Sequence, residues 1–221
     1  MFDGKFRRSV DATTAPVGRW LVRMGFSADV LTGSGLVFAC ATAWAIAVGL
    51  HLWAIVLLTL TGFHDLFDGA VAKAGQRASQ RGSFFDSVSD RVADAVILGG
   101  VAYYLTAHHH GQLVLLPFAI LTTTFMISYQ RSKAESLGLV AKGGLMERAE
   151  RMILLGVGLL ATPIFIPVLW IMLVLTAMTA AGRFWRVWQV AARPAPSTTS
   201  TLRARQHSRR LRRGLSRASR H

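Results

Sequence analysis

The chain has a single cysteine in 221 residues, Cys40. It therefore forms no disulfide and offers no thiolate metal site, and inside an apolar run it reads as a small packing residue. Acids are scarce too, 11 against 25 lysines and arginines, and the last 31 residues contain none. The first 28 residues lack an uninterrupted apolar core ahead of a small-residue cleavage site, which argues against a signal peptide. No internal repeat is visible. What the chain has in quantity is apolar sequence: 52% hydrophobic residues and a mean hydropathy of +0.40, gathered in long runs. A soluble domain of this size carries less, so the expected class is an all-α polytopic membrane protein.

Six segments come near the roughly 20 residues needed to cross a bilayer core: Val30 to Gly49, Leu52 to Ala72, Phe84 to Leu105, Leu113 to Ala134, Met152 to Ile166 and Pro167 to Val190. The loop between the last two is drawn through Pro163 and Pro167. With the N-terminus cytoplasmic, the outer loops are Gly49 to His51, Ala107 to Gln112 and Ala161 to Pro167, and none holds a lysine or arginine. All 25 basic residues then fall on the inner side, a strong form of the positive-inside bias. The expectation is a multi-pass cell-membrane protein with both termini and its carboxylates at the cytoplasmic face.

Three regions follow. Residues 1–28 mix Lys5, Arg7, Arg8, Arg19 and Arg23 with Phe6, Trp20 and Phe26, the pattern of an amphipathic helix lying in the inner interface. Residues 29–190 form the six-helix transmembrane domain, with Asp29 and Thr32 of SADVLT expected either to cap its first helix or to contribute to nucleotide binding. Residues 191–221 carry nine arginines and no acid, the composition of a disordered tail. Beside the inner leaflet, its partner is anionic lipid headgroups, at about 1 kcal/mol per basic residue near the surface; nucleic acid is the weaker candidate. His108 to His110 fall in a short outer loop and read as solvated.

The informative stretch is DLFDGAVAKAGQRASQRGSFFDSVSD, residues 65–90. Asp65, Asp68, Gly69 and Ala72 recur at i, i+3, i+4 and i+7, so one helix face stacks two carboxylates over small residues. Gly82, Asp86 and Asp90 repeat every four residues and do the same on a second helix. Run antiparallel, the two helices crowd four carboxylates together, where like charges repel. Hard divalent cations are the natural compensation, since Mg²⁺ and Mn²⁺ prefer oxygen ligands and bring phosphates with them.

DxxDGxxAK, eight residues, then GxxxDxxxD resembles the signature of the CDP-alcohol phosphotransferases, integral membrane enzymes of phospholipid synthesis. One position departs: Lys73 stands where the family usually has arginine, so a planar two-pronged phosphate grip becomes a point charge. The resemblance implies a two-ion Mg²⁺ or Mn²⁺ site held by Asp65, Asp68, Asp86 and Asp90. Asp90 also serves as general base, Gly69, Ala72, Lys73 and Gly82 lie against the nucleotide of CDP-diacylglycerol, and the enzyme is a homodimer.

A second constellation lies in SYQRSKAESLGLVAKGGLMERAER, residues 128–151. Arg131 and Lys133 end one helix, while Arg148 and Arg151 begin the next. Each could be a topology-setting charge held by Glu135, Glu147 or Glu150; converging with Arg183, they form a phosphate site instead. This loop is similar to that of actinobacterial phosphatidylinositol phosphate synthases. The likeness implies that Arg131, Lys133, Arg148, Arg151 and Arg183 hold the phosphate of inositol phosphate. A phosphatidylglycerolphosphate synthase, using glycerol phosphate, is the alternative. The rival outside enzymology is an ion-coupled transporter, but transporter sites lie near the midplane of repeated, broken helices, and these aspartates sit at inner helix ends.

Overall fold

The computed structural model describes residues 5–75, 79–108, 111–139 and 143–192, with side chains from Thr13 onward. The basic tail from 193, His109, His110 and part of the polar link after Ala74 lie outside the described residues. Among the described residues seven α-helices follow one another: α1 Lys5–Arg23, α2 Ala28–Ala47, α3 His51–Ala74, α4 Gln80–His108, α5 Leu115–Ser136, α6 Arg148–Leu159 and α7 Thr162–Ala191, with a 3₁₀ turn at Gln112–Val114 leading into α5.

Local chemistry sets the boundaries. Ser27, not Asp29 or Thr32, caps α2, its Oγ accepting the Val30 amide at 3.3 Å. Ser79 caps α4, accepting the Gly82 amide on Oγ at 2.9 Å. The helix therefore starts four residues before Phe84 and takes Gly82 into its first turn. Between α2 and α3 the chain reverses at Gly49, whose φ of 77° suits glycine. There the Leu50 amide reaches back to the Ala45 carbonyl and the Gly49 amide to that of Ile46, a Schellman closure that lets α3 begin at once.

α2 packs on both α3 and α4, and α5 and α6 pack on α7. Gly100 of α4 crosses α2 so closely that a Cβ there would sit 2.4 Å from the Ala43 carbonyl oxygen. At Gly18 of α1 a Cβ would lie 2.7 Å from the Ala70 oxygen of α3, so the first helix lies hard against the aspartate helix. Ile46, Val101, Leu105, Ile120, Phe165 and Leu169 are fully enclosed. Outside this core, Val37, Leu52, Trp53, Tyr103 and Ile153 are exposed. So much exposed apolar surface on the helices suits lipid rather than water.

Among the described residues four helical segments are long and apolar enough to cross a membrane: Ala28–Ala47, His51–Ala74, Gln112–Ser136 and Thr162–Ala191. α4 is long enough at 29 residues, but its first half carries Arg81, Asp86, Asp90, Arg91 and Asp94. The expected boundary between the last two spans is corrected. Met152 to Ile166 is not one helix: α6 ends at Leu159 after 12 residues, and α7 starts at Thr162, with two residues between, and runs for 30. Pro163 lies in the first turn of α7, where no backbone N–H is needed, and Pro167 forfeits a single bond just beyond it. Neither proline interrupts the helix.

Candidate active site

α3 and α4 are consecutive and both pack on α2, which brings the two halves of the aspartate motif within electrostatic reach of one another. Asp68 is buried, and its Oδ2 accepts the Thr32 hydroxyl of α2 at 3.0 Å. Thr32, expected as a cap, instead joins α2 to the carboxylates. The charges of the acids act on one another: Asp65 with Asp86 and Asp94, Asp68 with Asp65 and Asp86, Asp90 with Asp65 and Asp86. Apart from its own helix backbone and chain neighbours, no atom of the described residues comes within 4 Å of where a Cβ on Gly69 would lie, whereas one on Gly82 would meet Ser79 Oγ at 3.2 Å and Asp29 Oδ1 at 3.4 Å. Asp29, at the start of α2, thereby adjoins the start of α4.

Into this cluster α6 inserts its first residue. Arg148 donates from Nε to Asp65 Oδ2, and from Nη1 to the Asp90 backbone carbonyl at 2.6 Å and to Asp94 Oδ1 at 3.2 Å. Asp90 Oδ1 lies 3.4 Å from the same nitrogen. Arg151, one turn on, donates from Nη2 to Asp94 Oδ2 at 2.8 Å and from Nη1 to the Met146 carbonyl at 3.4 Å. On the far side Arg91 touches Asp90 Oδ2 at 3.4 Å and donates to the Ser87 carbonyl.

The other basic residues gather elsewhere. Arg183 is buried, donating to the Ile127 carbonyl at 2.9 Å and to the Gly143 carbonyl at 3.2 Å, with Glu147 at 3.7 Å. Arg186 donates to the same Gly143 oxygen. Arg131 pairs with Glu135 at 3.0 Å on the exposed side of α5, and Lys133 is exposed. The charges of Arg131 and Arg186 act on Arg183. Four of the five basic residues thus form two groups, Arg148 and Arg151 among the carboxylates, Arg131 and Arg183 across α5 and α7, while Lys133 is exposed on α5. The segment 143–147 joins them, because Glu147 touches Arg183 and the next residue enters the aspartate cluster.

Asp94 was not singled out by the motif, although its place four residues beyond Asp90 continues the spacing of Asp86 and Asp90. That register was the available signal. Among the described residues no three acids, histidines or cysteines are grouped at metal-ligating distance; the Arg148 guanidinium stands between Asp65, Asp90 and Asp94. The donor set still fits a hard divalent cation. All of it is carboxylate oxygen, presented from consecutive helices within electrostatic reach, and a guanidinium held there shows that the cluster accepts positive charge.

Residues 26–192 match the sequence profile of the CDP-alcohol phosphatidyltransferase family. Over 174 residues, 76% of this chain and 86% of the relative, the sequence is 37% identical to archaetidylinositol phosphate synthase of Methanothermobacter thermautotrophicus. Over 192 residues, 79% of this chain and 85% of the relative, it is 30% identical to phosphatidylinositol phosphate synthase of Mycobacterium tuberculosis. Crystal structures of the M. tuberculosis enzyme share the fold at 27% sequence identity. That with CDP-DAG bound superposes with a TM-score of 0.74 over 83% of this chain and 98% of the other. That in complex with manganese and citrate gives 0.73 over 83% and 93%.

Proposed function

The chain belongs to the CDP-alcohol phosphatidyltransferase family, and from that premise we propose that it transfers the phosphatidyl group of CDP-diacylglycerol to inositol phosphate, releasing CMP and phosphatidylinositol phosphate. The observation that carries this reading is Arg148. One guanidinium reaches both the motif aspartates and, through Asp94, a second arginine. A phosphate-binding pair beside the carboxylates suits an acceptor that brings its own phosphate. The two relatives differ in the lipid their names specify but share inositol phosphate in the product.

On this reading Asp65, Asp68 and Asp86 hold divalent ions, two in number and Mg²⁺ or Mn²⁺, with Asp90 touching one. Bound there, such ions supply charge neutralisation at the pyrophosphate and on the leaving phosphate. Asp90 accepts the proton of the acceptor hydroxyl, whose oxygen attacks the phosphorus bearing the diacylglycerol. A new P–O bond forms there, and the bond from that phosphorus to the CMP oxygen breaks. Gly69, Ala72 and Gly82 present backbone without bulk, so the nucleotide approaches the helices closely, and Lys73 adds one charge at the end of α3. Arg148 and Arg151 grip the acceptor's phosphate, while Arg131, Lys133 and Arg183, on α5 and α7, add positive charge beyond the 143–147 segment.

The proposed topology has six crossings, α2 to α7, with both termini and the site cytoplasmic and α1 lying in the inner interface. The shortness of α6 is compatible with this. At 1.5 Å per residue it spans about 18 Å, and it begins at the level of Asp65, nine residues inside the end of α3. The basic tail binds anionic lipid, and two copies associate. The test is the purified protein with CDP-diacylglycerol and Mg²⁺ or Mn²⁺, given inositol phosphate or glycerol 3-phosphate, with CMP release measured. Turnover of glycerol 3-phosphate alone would overturn the choice of acceptor, and better turnover of unphosphorylated inositol would overturn the phosphate pocket.

A further inference from the structure

Asp94 has no place in the aspartate motif, yet it sits at the junction of the two halves of the site. Its carboxylate is divided between two arginines one turn apart on α6, Oδ1 taking an N–H from Arg148 at 3.2 Å and Oδ2 one from Arg151 at 2.8 Å. All three side chains are largely enclosed, at 14%, 17% and 10% exposure. Two guanidinium groups this near one another repel, and at low solvent exposure the repulsion is poorly screened. A carboxylate that accepts from both offsets the repulsion and sets their separation. The surroundings leave it little choice of partner: on its other side Asp94 and Arg151 line a cavity of about 30 Å³ walled by Leu58, Ile97, Leu98, Ile120 and Leu155.

The backbone supplies the second half of the argument. Asp94 lies one helical turn beyond Asp90, and Arg148 also donates to the Asp90 carbonyl at 2.6 Å. The arginine pair is therefore referenced to the α4 turn that carries the motif's last aspartate. We infer that Asp94 is a positioning residue: it holds Arg148 and Arg151 at the spacing that grips the acceptor's phosphate and sets that phosphate in register with Asp90. This inference rests on the phosphate-acceptor reading above. Asp94 itself touches neither substrate.

Asp94→Asn keeps the shape but removes the charge and one acceptor oxygen, so one arginine loses its contact to this residue. The purified full-length enzyme is measured for KM toward inositol phosphate, KM toward CDP-diacylglycerol, Mn²⁺ affinity by electron paramagnetic resonance, and thermal unfolding. The expected result is a roughly ten- to hundredfold rise in KM for inositol phosphate, the size of a lost charge-assisted hydrogen bond, with CDP-diacylglycerol and Mn²⁺ binding changed less than about twofold. Asp94→Glu, which restores the charge on a longer stem, should show a smaller rise confined to the same substrate. If Asp94→Asn does not fold, Asp94→Glu carries the test alone. Equal loss of both substrates would make Asp94 a fold residue and overturn the inference, and a loss of Mn²⁺ affinity would do so by making it part of the ion site. Arg148→Ala is run in parallel. If it raises the acceptor's KM while Asp94→Asn does not, the inference falls and the phosphate reading stands. If Arg148→Ala leaves that KM alone, both fall.

Discussion

Arg148 donates from Nε to the Oδ2 of Asp65, eighty-three residues earlier in the chain, and thereby ties the first residue of α6 to the first aspartate of the motif. The same side chain reaches α4 at Asp90 and Asp94. Three helices that share no local sequence meet on one guanidinium. Removing it would take a partner from Asp65, Asp90 and Asp94 at once, although Asp90 keeps Arg91 and Asp94 keeps Arg151; removing any one carboxylate would leave it others.

Divalent cations should be strictly required for CMP release. In excess chelator the activity should vanish and return on adding Mg²⁺ or Mn²⁺. Asp65→Asn, Asp68→Asn and Asp86→Asn should each weaken Mn²⁺ binding measured by electron paramagnetic resonance. Full activity in chelator would remove the ions from the reaction.

Asp90→Asn should separate base from ligand. Loss of a positioned general base lowers turnover by about 10² to 10⁴, while binding of CDP-diacylglycerol, followed by calorimetry, should largely persist. Parallel loss of both would show that Asp90 acts chiefly as a ligand.

Arg151→Ala should raise the KM for inositol phosphate roughly tenfold or more, because a charge-assisted contact with the phosphate is lost. The KM for CDP-diacylglycerol should stay within about twofold. Initial rates with each substrate varied in turn decide the matter, and a rise confined to CDP-diacylglycerol would place Arg151 against the wrong substrate.

Gly100→Ala should destabilise the fold without touching the site. The added Cβ would sit 2.4 Å from the Ala43 oxygen and 2.8 Å from its Cα, backbone atoms that can yield only if α2 and α4 part. Overpacking of this kind costs about 1–3 kcal/mol. A lowered unfolding temperature in detergent, with unchanged KM values for the enzyme that remains folded, is the expected result.

Deleting residues 194–221 removes eight arginines. Activity in detergent should survive, and sedimentation with vesicles rich in anionic lipid should decrease relative to neutral vesicles. Complete inactivation in detergent would mean that the tail contributes to the site.

Local spacing made much of this protein legible. Asp65, Asp68, Gly69 and Ala72 share a face because a helix repeats every 3.6 residues, and Gly82, Asp86 and Asp90 do so for the same reason. The long apolar runs likewise become helices wherever they are, with boundaries within a few residues of those expected for α2, α3 and α5. Prolines were read less well. Their effect depends on whether the missing N–H falls at a helix start, and the start of α7 is set by where the chain turns after α6. The basic residues show the same division. Sequence supplied five candidates near one interface, but which of them meet the carboxylates is decided by how α6 and α7 lie against α3, α4 and α5. Arg148 and Arg151 face Asp94, while Arg183 is held by the carbonyls of Ile127 and Gly143. Asp94 was hidden for the same reason: its partners are 54 and 57 residues away, and helical periodicity carries no information over that distance. Only the close crossing of helices, such as that of α2 and α4 at Ala43 and Gly100, brings such residues together.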